Sequence, residues 1–164
     1  MFEKQLKENV VLAIISKATA DFEIIESDLH FKKIAASLSD VGSFYPEFKS
    51  WLYFTFRAGI FVGERKILVA HSDGDIAGLA LLKNSSSEKK ICTFYVLPEY
   101  REDGVGRSLM HEAMQTLGHR DIGISVSEER NSELSPLLRS CGFSLTSVMP
   151  GHYRSEKSEF FYNL

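Results

Sequence analysis

The segment from residue 90 to residue 118 places the strongest limits on the fold. Lys90 to Val96 is apolar or aromatic at almost every position, which is typical of a central strand covered on both faces. Pro98 ends this strand, and from Val105 apolar residues recur every four positions until Gly118 closes the pattern. The sequence therefore predicts a buried strand that passes through a short turn into a helix, an arrangement typical of α/β proteins.

The preceding residues predict a β-hairpin. Lys66 to His71 and Ile76 to Leu82 are β-rich runs, and they flank an Asp-Gly turn at Ser72 to Asp75. Asp-Gly between two such runs favours a tight turn, because both central residues must adopt a positive φ. Two antiparallel strands are therefore expected before the central strand.

Helices are predicted ahead of the hairpin as cover for the sheet. Phe22 to Ile25 predicts a short strand, and Ser27 or Asp28 is expected to cap a helix with apolar positions from Phe31 to Leu38. Pro46 is expected in the first turn of a second helix.

The last third of the chain repeats the alternation of strand and helix. Ile122 to Val126 predicts a strand, Asn131 or Ser132 is expected to cap another helix, and two strands are expected around residues 143–148 and 159–162. The sum is a mixed α/β (α+β) domain with an antiparallel start and a strand-helix-strand unit in its second half. The length of 164 residues is that of one domain, so residues 1–164 are expected to form a single unit.

Charge and cysteine content exclude several classes of protein. The formal charge is -3 and no run of Lys and Arg forms a basic stripe, so nucleic acid is not favoured as a partner. Cys92 and Cys141 have no spacing that suggests disulfides or a metal site, so both are interpreted as reduced thiols. Composition close to the average of globular proteins disfavours a membrane span. The apolar run at residues 10–15, which precedes Ala18-Thr19-Ala20, is too short for a signal peptide and lacks the positive start that a signal peptide needs. A retained N-terminal helix and a cytoplasmic location are expected.

The turn between the central strand and the following helix has the properties of an anion site. It runs from Arg101 to Ser108 with Gly104 and Gly106 inside it, where free amides and the positive end of the helix dipole converge. Arg107 lies in the first helical turn, which is unfavourable for the helix unless an anion is bound nearby. A tight turn with solvated arginines is the alternative. The full dinucleotide and nucleoside triphosphate loop patterns are absent.

Arg101, Gly104 and Gly106 also match in full the [QR]-x-x-G-x-[GA] loop of the GNAT superfamily, which consists of acyl-CoA-dependent N-acetyltransferases. The sequence resembles that family further in the Val96-Leu97-Pro98 end of the preceding strand. Asn131 and the later Leu138-Arg139-Ser140-Cys141-Gly142-Phe143 extend the resemblance, which covers roughly residues 64–164. It implies a mostly antiparallel mixed sheet flanked by helices, with a strand-loop-helix site for acyl-CoA.

The resemblance also implies an activity, transfer of an acetyl group from acetyl-CoA to a primary amine by direct attack. Backbone groups of Phe94, Tyr95 and Val96 would pair with the pantetheine arm, and Asn131 would contact the cofactor or serve only as a helix cap. The backbone of the loop would hold the pyrophosphate through Arg101, Glu102, Asp103, Gly104, Val105, Gly106, Arg107 and Ser108.

The chemistry needs a base and a proton donor. An alkyl ammonium, with a pKa of about 10.4, must lose a proton before it can attack. Many family members place a tyrosine donor four residues before the Gly-Phe pair, and Leu138 stands there in this chain. Tyr153 is the preferred substitute, with packing as the alternative. Glu88, or Glu128 or Glu129, is a candidate base that acts through water.

Two other classes of function stay open. The first is a catalytically weak acyl-CoA-binding sensor or interaction domain of the same fold, which the leucine at position 138 favours. The second is a nucleotide-binding α/β protein that uses the same loop. The sequence does not identify the acceptor, which is a small-molecule or protein amine. Tyr45, Trp51 or Tyr53 would form one wall of its pocket or belong to the core. A homodimer is compatible with these features.

Overall fold

One seven-stranded sheet forms the centre of the computed structural model, which describes residues 20–164. The strand order is β1-β2-β3-β4-β5-β7-β6, and every neighbouring pair is antiparallel except β4 and β5. The strands are β1 (Asp21–Ile25), β2 (Arg65–Ser72), β3 (Asp75–Asn84), β4 (Lys89–Val96), β5 (Ile122–Ser127), β6 (Ser144–Pro150) and β7 (Ser158–Asn163). The predicted mixed, mostly antiparallel α/β fold is confirmed.

Helices cover both faces of the sheet. One face packs against α1 (Phe31–Ser37) and against α2, which runs over residues 48–61 with a π-helical middle at Trp51–Phe56. The other face packs against α3 (Val105–Leu117) and α4 (Glu128–Ser140). Alternating side chains of each central strand therefore enter two separate apolar cores. The N-terminal helix expected before residue 20 lies outside the described residues.

The hairpin has the predicted turn. Asp73 and Gly74 have φ values of 52° and 84°, so both occupy the left-handed region. That geometry is the two-residue turn whose twist matches antiparallel strands. The prediction of a hairpin from the Asp-Gly pair is confirmed.

The predicted cap of α1 is wrong. The helix begins after His30, which has a φ of 66° and whose side chain forms no capping hydrogen bond. Ser27 Oγ accepts a hydrogen bond from the amide of Leu29, and the Asp28 carboxylate forms an ion pair with Arg57 on α2. The Asp28 side chain, which the local sequence predicts as a cap, is therefore held in an ion pair with a residue of another helix.

The predicted start of α4 is wrong as well. The helix begins at Glu128, three residues before Asn131, and extended Ser127 precedes it. Two glutamates in the first turn complement the positive end of the helix dipole, so no cap at Asn131 or Ser132 is needed.

The middle of the sheet opens on one side of β4. Leu81 pairs with Thr93 and Leu82 pairs with Ile91, so Cys92 is the extra residue of a β-bulge. On its other edge β4 pairs with β5 only over residues 89–91. Beyond that point the two strands splay apart, and within residues 20–164 no strand pairs with this edge of β4 from residue 92 to residue 96.

Candidate active site

The loop after β4 presents free backbone amides. A 3₁₀ turn, Pro98–Tyr100, follows the strand, and Glu102 and Gly104 then adopt φ values of 68° and 84°. The first hydrogen bond of α3 runs from Ser108 N to Gly104 O, at 3.1 Å. Within residues 20–164, the backbone amides of residues 102–107 donate no hydrogen bond. Alternating left-handed residues at a helix start form a concavity that favours an anion.

A groove runs from this loop between β4 and α4. It has a volume of about 120 Å³, and its walls include Phe94, Val96, Gly106 and Leu137. A Cβ atom at Gly106 would lie 3.6 Å from Val96 Cγ2 and 3.8 Å from Leu137 Cδ2. Gly106 therefore keeps the loop end of the groove open, which suits a chain-like ligand that passes from the loop to the splay.

Arg101 lies inside this groove. Its Nε donates a hydrogen bond of 2.9 Å to the carbonyl of Val96, and Glu133 Oε1 on α4 is 3.9 Å away. The guanidinium also sits 5.6 Å from the centre of the Tyr95 ring. Arg101 thus joins the two walls of the groove at the place where the loop begins.

A second cavity, of about 60 Å³, fills the splay between β4 and β5. Thr93, Phe94 and Tyr95 line it from β4, and Ser127 lines it from β5. The Ser127 hydroxyl is buried near the Tyr45 hydroxyl, whose pKa burial raises and Ser127 slightly lowers, but within residues 20–164 no group meets it at hydrogen-bond geometry. A buried hydroxyl without a partner costs about 1–3 kcal/mol, so this oxygen is well suited to bonding a ligand.

A third cavity continues from the splay toward α2. Its volume is about 250 Å³, and it shares Tyr45, Cys92, Thr93 and Ser125 with the splay cavity. Aromatic side chains of α2 and the preceding loop form one wall, and charged side chains from the ends of β2, β3 and β4 form another. The π-helical stretch of α2 begins at Trp51 on this wall, and such stretches are frequent at functional sites.

A buried carboxyl group lies behind Tyr45, at the junction of the two cavities. Glu159 on β7 is only 3% exposed, and its Oε1 accepts a hydrogen bond of 2.9 Å from the Tyr45 hydroxyl. Burial raises the pKa of Glu159 more than the hydrogen bond from Tyr45 and the nearby Ser125 hydroxyl lower it. Burial and the neighbouring carboxylate likewise raise the pKa of Tyr45. A raised glutamate pKa beside a cavity is typical of a proton acceptor.

Sequence reasoning missed this pair. Glu159 looked like one charged residue in a short final strand, and Tyr45 was expected only as a wall of the acceptor pocket or as part of the core. The alternation along β7 held a signal, because Glu159 shares a strand face with Phe161 and pairs across with Ser127 of β5. A carboxyl group on an inward face is rare unless it is paired or functional.

Two of the residues predicted for catalysis, Tyr153 and Glu88, lie at the rim of the larger cavity, whereas the other candidate bases, Glu128 and Glu129, do not line it. Tyr153 is 48% exposed, and its ring packs edge-on against Tyr45 with the centroids 5.4 Å apart. Glu88 accepts a hydrogen bond of 2.6 Å from Lys83, which lowers the pKa of its carboxyl group. Both roles stay predictions.

Asn131 and Leu138 both face away from the cavities. Asn131 Oδ1 accepts a hydrogen bond of 2.7 Å from the Tyr162 hydroxyl, and the neighbouring Arg130 and Leu134 line the groove and the splay instead. Leu138 is 0% exposed in the core. The contact between Asn131 and the cofactor stays a prediction.

Comparison of the sequence with protein families gives one match over most of the chain. The profile of the Acetyltransferase (GNAT) domain matches residues 34–149. The chain belongs to the GNAT acetyltransferase family. Acetyl-CoA is the acetyl donor of this family, and the free amides, the open groove and the unpaired edge of β4 fit its diphosphate and its pantetheine arm.

Solved structures share the GNAT fold at low sequence identity. A protein from Desulfovibrio desulfuricans described as a GNAT acetyltransferase has a TM-score of 0.73 at 18% identity, over 89% of this chain and 98% of its own. Ribosomal-protein-S18-alanine N-acetyltransferase from Escherichia coli has a TM-score of 0.61 at 14% identity, over 88% and 93%. A Bacillus anthracis protein described as a streptothricin acetyltransferase, in complex with acetyl coenzyme A, has 0.55 at 22%, over 62% of each chain.

No curated protein sequence matches this GNAT chain. None of the helices within residues 20–164 has the length and apolarity needed to cross a bilayer.

Proposed function

We propose that this GNAT protein is an N-acetyltransferase that moves the acetyl group of acetyl-CoA directly onto a primary amine held in the 250 Å³ cavity. The continuity of the three cavities carries the proposal. Phe94 lines both the groove and the splay, and Tyr45 lines both the splay and the larger cavity. A donor that enters at the loop would thus end beside the Tyr45–Glu159 pair.

The loop and β4 would bind the donor. The amides of residues 102–107 would hold the diphosphate, with Arg101 and Arg107 adding positive charge, and the free edge of β4 at Phe94, Tyr95 and Val96 would pair with the pantetheine arm. When bound, acetyl-CoA supplies the thioester carbon that the amine attacks. A backbone amide near Tyr95 or Val96 would donate to the carbonyl oxygen as negative charge develops there.

The Tyr45–Glu159 pair would accept the proton of the amine. Glu159 does not line the cavity, whereas Tyr45 does, so Tyr45 would take the amine proton as it passes its own proton to Glu159. A concerted transfer is required, because the raised pKa of Tyr45 disfavours a free phenolate. Tyr45 is then the catalytic residue, and Glu159 is the terminal base behind it.

Ser127 would stabilise the departing sulfur. As the amine nitrogen bonds to the acetyl carbon, the carbon–sulfur bond breaks and its electron pair leaves on sulfur. The otherwise unpartnered hydroxyl of Ser127 would donate a hydrogen bond to this thiolate, which later takes a proton from water. Leu138 occupies the usual tyrosine position but cannot donate, so Ser127 or Tyr153 would fill that role.

The proposal is tested by measuring CoA release from acetyl-CoA with a panel of primary amines. For Glu159→Gln and Tyr45→Phe we expect kcat to fall, by about 10²- to 10⁴-fold for loss of general base catalysis. Glu159 must be deprotonated to act, so kcat/KM of the native enzyme should rise with pH through an apparent pKa above the ordinary glutamate value of 4.5, and Glu159→Gln should remove this limb.

Matched variants separate the candidate residues. Ser127→Ala removes the hydroxyl of one candidate donor to the sulfur, and Tyr153→Phe removes that of the other. Glu88→Gln replaces the carboxylate at the rim of the cavity with an amide. We expect Ser127→Ala to lower kcat more than the other two. A panel with no CoA release, or Glu159→Gln with native kcat, would contradict the proposed mechanism.

A sensor that binds acyl-CoA without turnover is the second candidate. The complete burial of Leu138 favours it, because the usual tyrosine donor is replaced by a residue with no route to the sulfur. Calorimetric titration separates the two functions. Tight binding of acetyl-CoA without CoA release from any amine would establish the sensor.

A further inference from the structure

The larger cavity contains a row of three cations. Arg65 on β2 pairs with Lys83 on β3, and Lys83 pairs with Lys90 on β4, so the three side chains lie side by side on one face of the sheet. All three line the cavity. Like charges on directly paired residues of neighbouring strands destabilise a sheet. Negative charge close to the three side chains would therefore stabilise this part of the sheet.

The protein supplies only part of that charge. Glu88 accepts a hydrogen bond of 2.6 Å from Lys83. Within the described part of the chain, no carboxylate lies within 4.0 Å of Arg65 or Lys90, although Glu47 lines the same cavity at its rim. The row with Glu88 therefore keeps a net charge of +2, and the cavity lining as a whole, with Glu47, carries +1.

Packing fixes the position of Arg65. The guanidinium lies 5.7 Å from the centre of the Trp51 ring and 5.5 Å from that of Phe56. Its stem packs onto Gly59, where a Cβ atom would come within 2.3 Å of Arg65 Cδ. A side chain held in this way loses little conformational entropy on binding, which favours recognition of an anion.

The opposite end of the cavity meets the splay. Lys90 and Thr93 flank the bulge at Cys92 and pair with Lys83 and Leu81, which are two residues apart on β3, so they are separated by roughly 7 Å along the strand. An acceptor whose amine lies beside Tyr45 would therefore extend its other end toward Arg65 and Lys90, past the aromatic wall at Phe48 and Trp51.

On this basis, which rests on the proposed N-acetyltransferase function, we infer that the acceptor is a small primary amine that carries a carboxylate several bonds from its nitrogen. Arg65 and Lys90 bind the carboxylate, and the aromatic wall packs against the body of the molecule. The cavity of about 250 Å³ accommodates a molecule of this size. A polyamine is disfavoured, because its second cation would face the row.

Matched pairs of amines test the inference. The first pair is 4-(aminomethyl)benzoate and benzylamine, and the second is 6-aminohexanoate and pentylamine, with 1,5-diaminopentane as the dication. CoA release gives kcat/KM for each amine. We expect each carboxylated amine to exceed its partner by about tenfold or more, the difference that one charge-assisted hydrogen bond makes.

Two variants connect that preference to the row. Lys90→Met and Arg65→Met remove one charge each, and we expect the ratio within each pair to fall by about tenfold, mainly through the KM of the carboxylated amine. Arg65→Met also removes contacts with Trp51 and Phe56, so Lys90→Met is the cleaner test. Lys49→Met, at an exposed position on α2 outside the cavity, is the charge control and should keep the native ratio.

A binding measurement separates failure of the inference from failure of the proposed function. The acetylated product 4-(acetamidomethyl)benzoate should raise the melting temperature of the native protein, and N-benzylacetamide should not. Loss of that increase in Lys90→Met supports the anion site even without turnover. Equal kcat/KM within the pairs, or preference for 1,5-diaminopentane, overturns the inference and leaves the acetyltransferase standing. No CoA release with any amine contradicts the proposed function instead.

Discussion

Replacing Gly106 by alanine separates the stability of the apo protein from its affinity for acetyl-CoA. The new Cβ would lie at ordinary contact distances of 3.6 Å from Val96 and 3.8 Å from Leu137, and Gly106 needs no positive φ. Alanine is favoured over glycine in a helix by up to ~1 kcal/mol. We therefore expect the melting temperature to rise, by about 2–4 °C per kcal/mol for a protein of this size.

The same methyl group narrows the groove that we assign to the donor. Overpacking of a well-filled site costs about 1–3 kcal/mol, which corresponds to a dissociation constant for acetyl-CoA roughly 5- to 150-fold higher. Thermal unfolding and calorimetric titration measure the two quantities, and Gly42→Ala, where no atom lies within 4 Å of the new Cβ, is the control. An unchanged affinity for acetyl-CoA in Gly106→Ala would refute the placement of the donor in this groove.

Three further substitutions test the surroundings of the site. Leu138→Tyr should lose about 1–3 kcal/mol of stability in urea unfolding without a gain in kcat, because the site is fully buried. Ser127→Ala should unfold at the same temperature or higher while kcat falls, because its hydroxyl has no partner in residues 20–164. Two hydrogen bonds from Arg154 lower the pKa of Glu129 to about 2, so that carboxylate stabilises the fold above pH 4.5, an effect lost as pH falls toward 2. Glu129→Gln should thus be less stable at pH 7 and lose less stability on acidification, as measured by urea unfolding across this range.

Elements with strong local signals were predictable from the sequence. The four-residue spacing from Val105 and the glycine at position 118 gave both ends of α3, because Gly118 closes the helix with a φ of 82°. The Asp73-Gly74 pair gave the hairpin for a similar reason, since both residues accept a positive φ. The turn with free amides between β4 and α3 was also predictable, from its glycines and its place between a strand and a helix.

Features that depend on distant partners were not predictable. Asp28 bonds Arg57, 29 residues later, and Asn131 bonds Tyr162, 31 residues later, so neither side chain caps the helix that local sequence assigned to it. The Tyr45–Glu159 pair joins residues 114 positions apart. It forms only because β7 inserts between β5 and β6. No residue spacing in the sequence indicates that β7 lies between β5 and β6.

The proposed function depends most on binding of the acetyl-CoA diphosphate by the free amides after Arg101. Amide chemical shifts in a titration of the ¹⁵N-labelled protein with CoA measure this directly. We expect the largest shifts at residues 102–107, together with Phe94 and Val96 on the free edge of β4. Unchanged amide chemical shifts in this loop, with the largest shifts elsewhere in residues 20–164, would contradict this placement of the diphosphate.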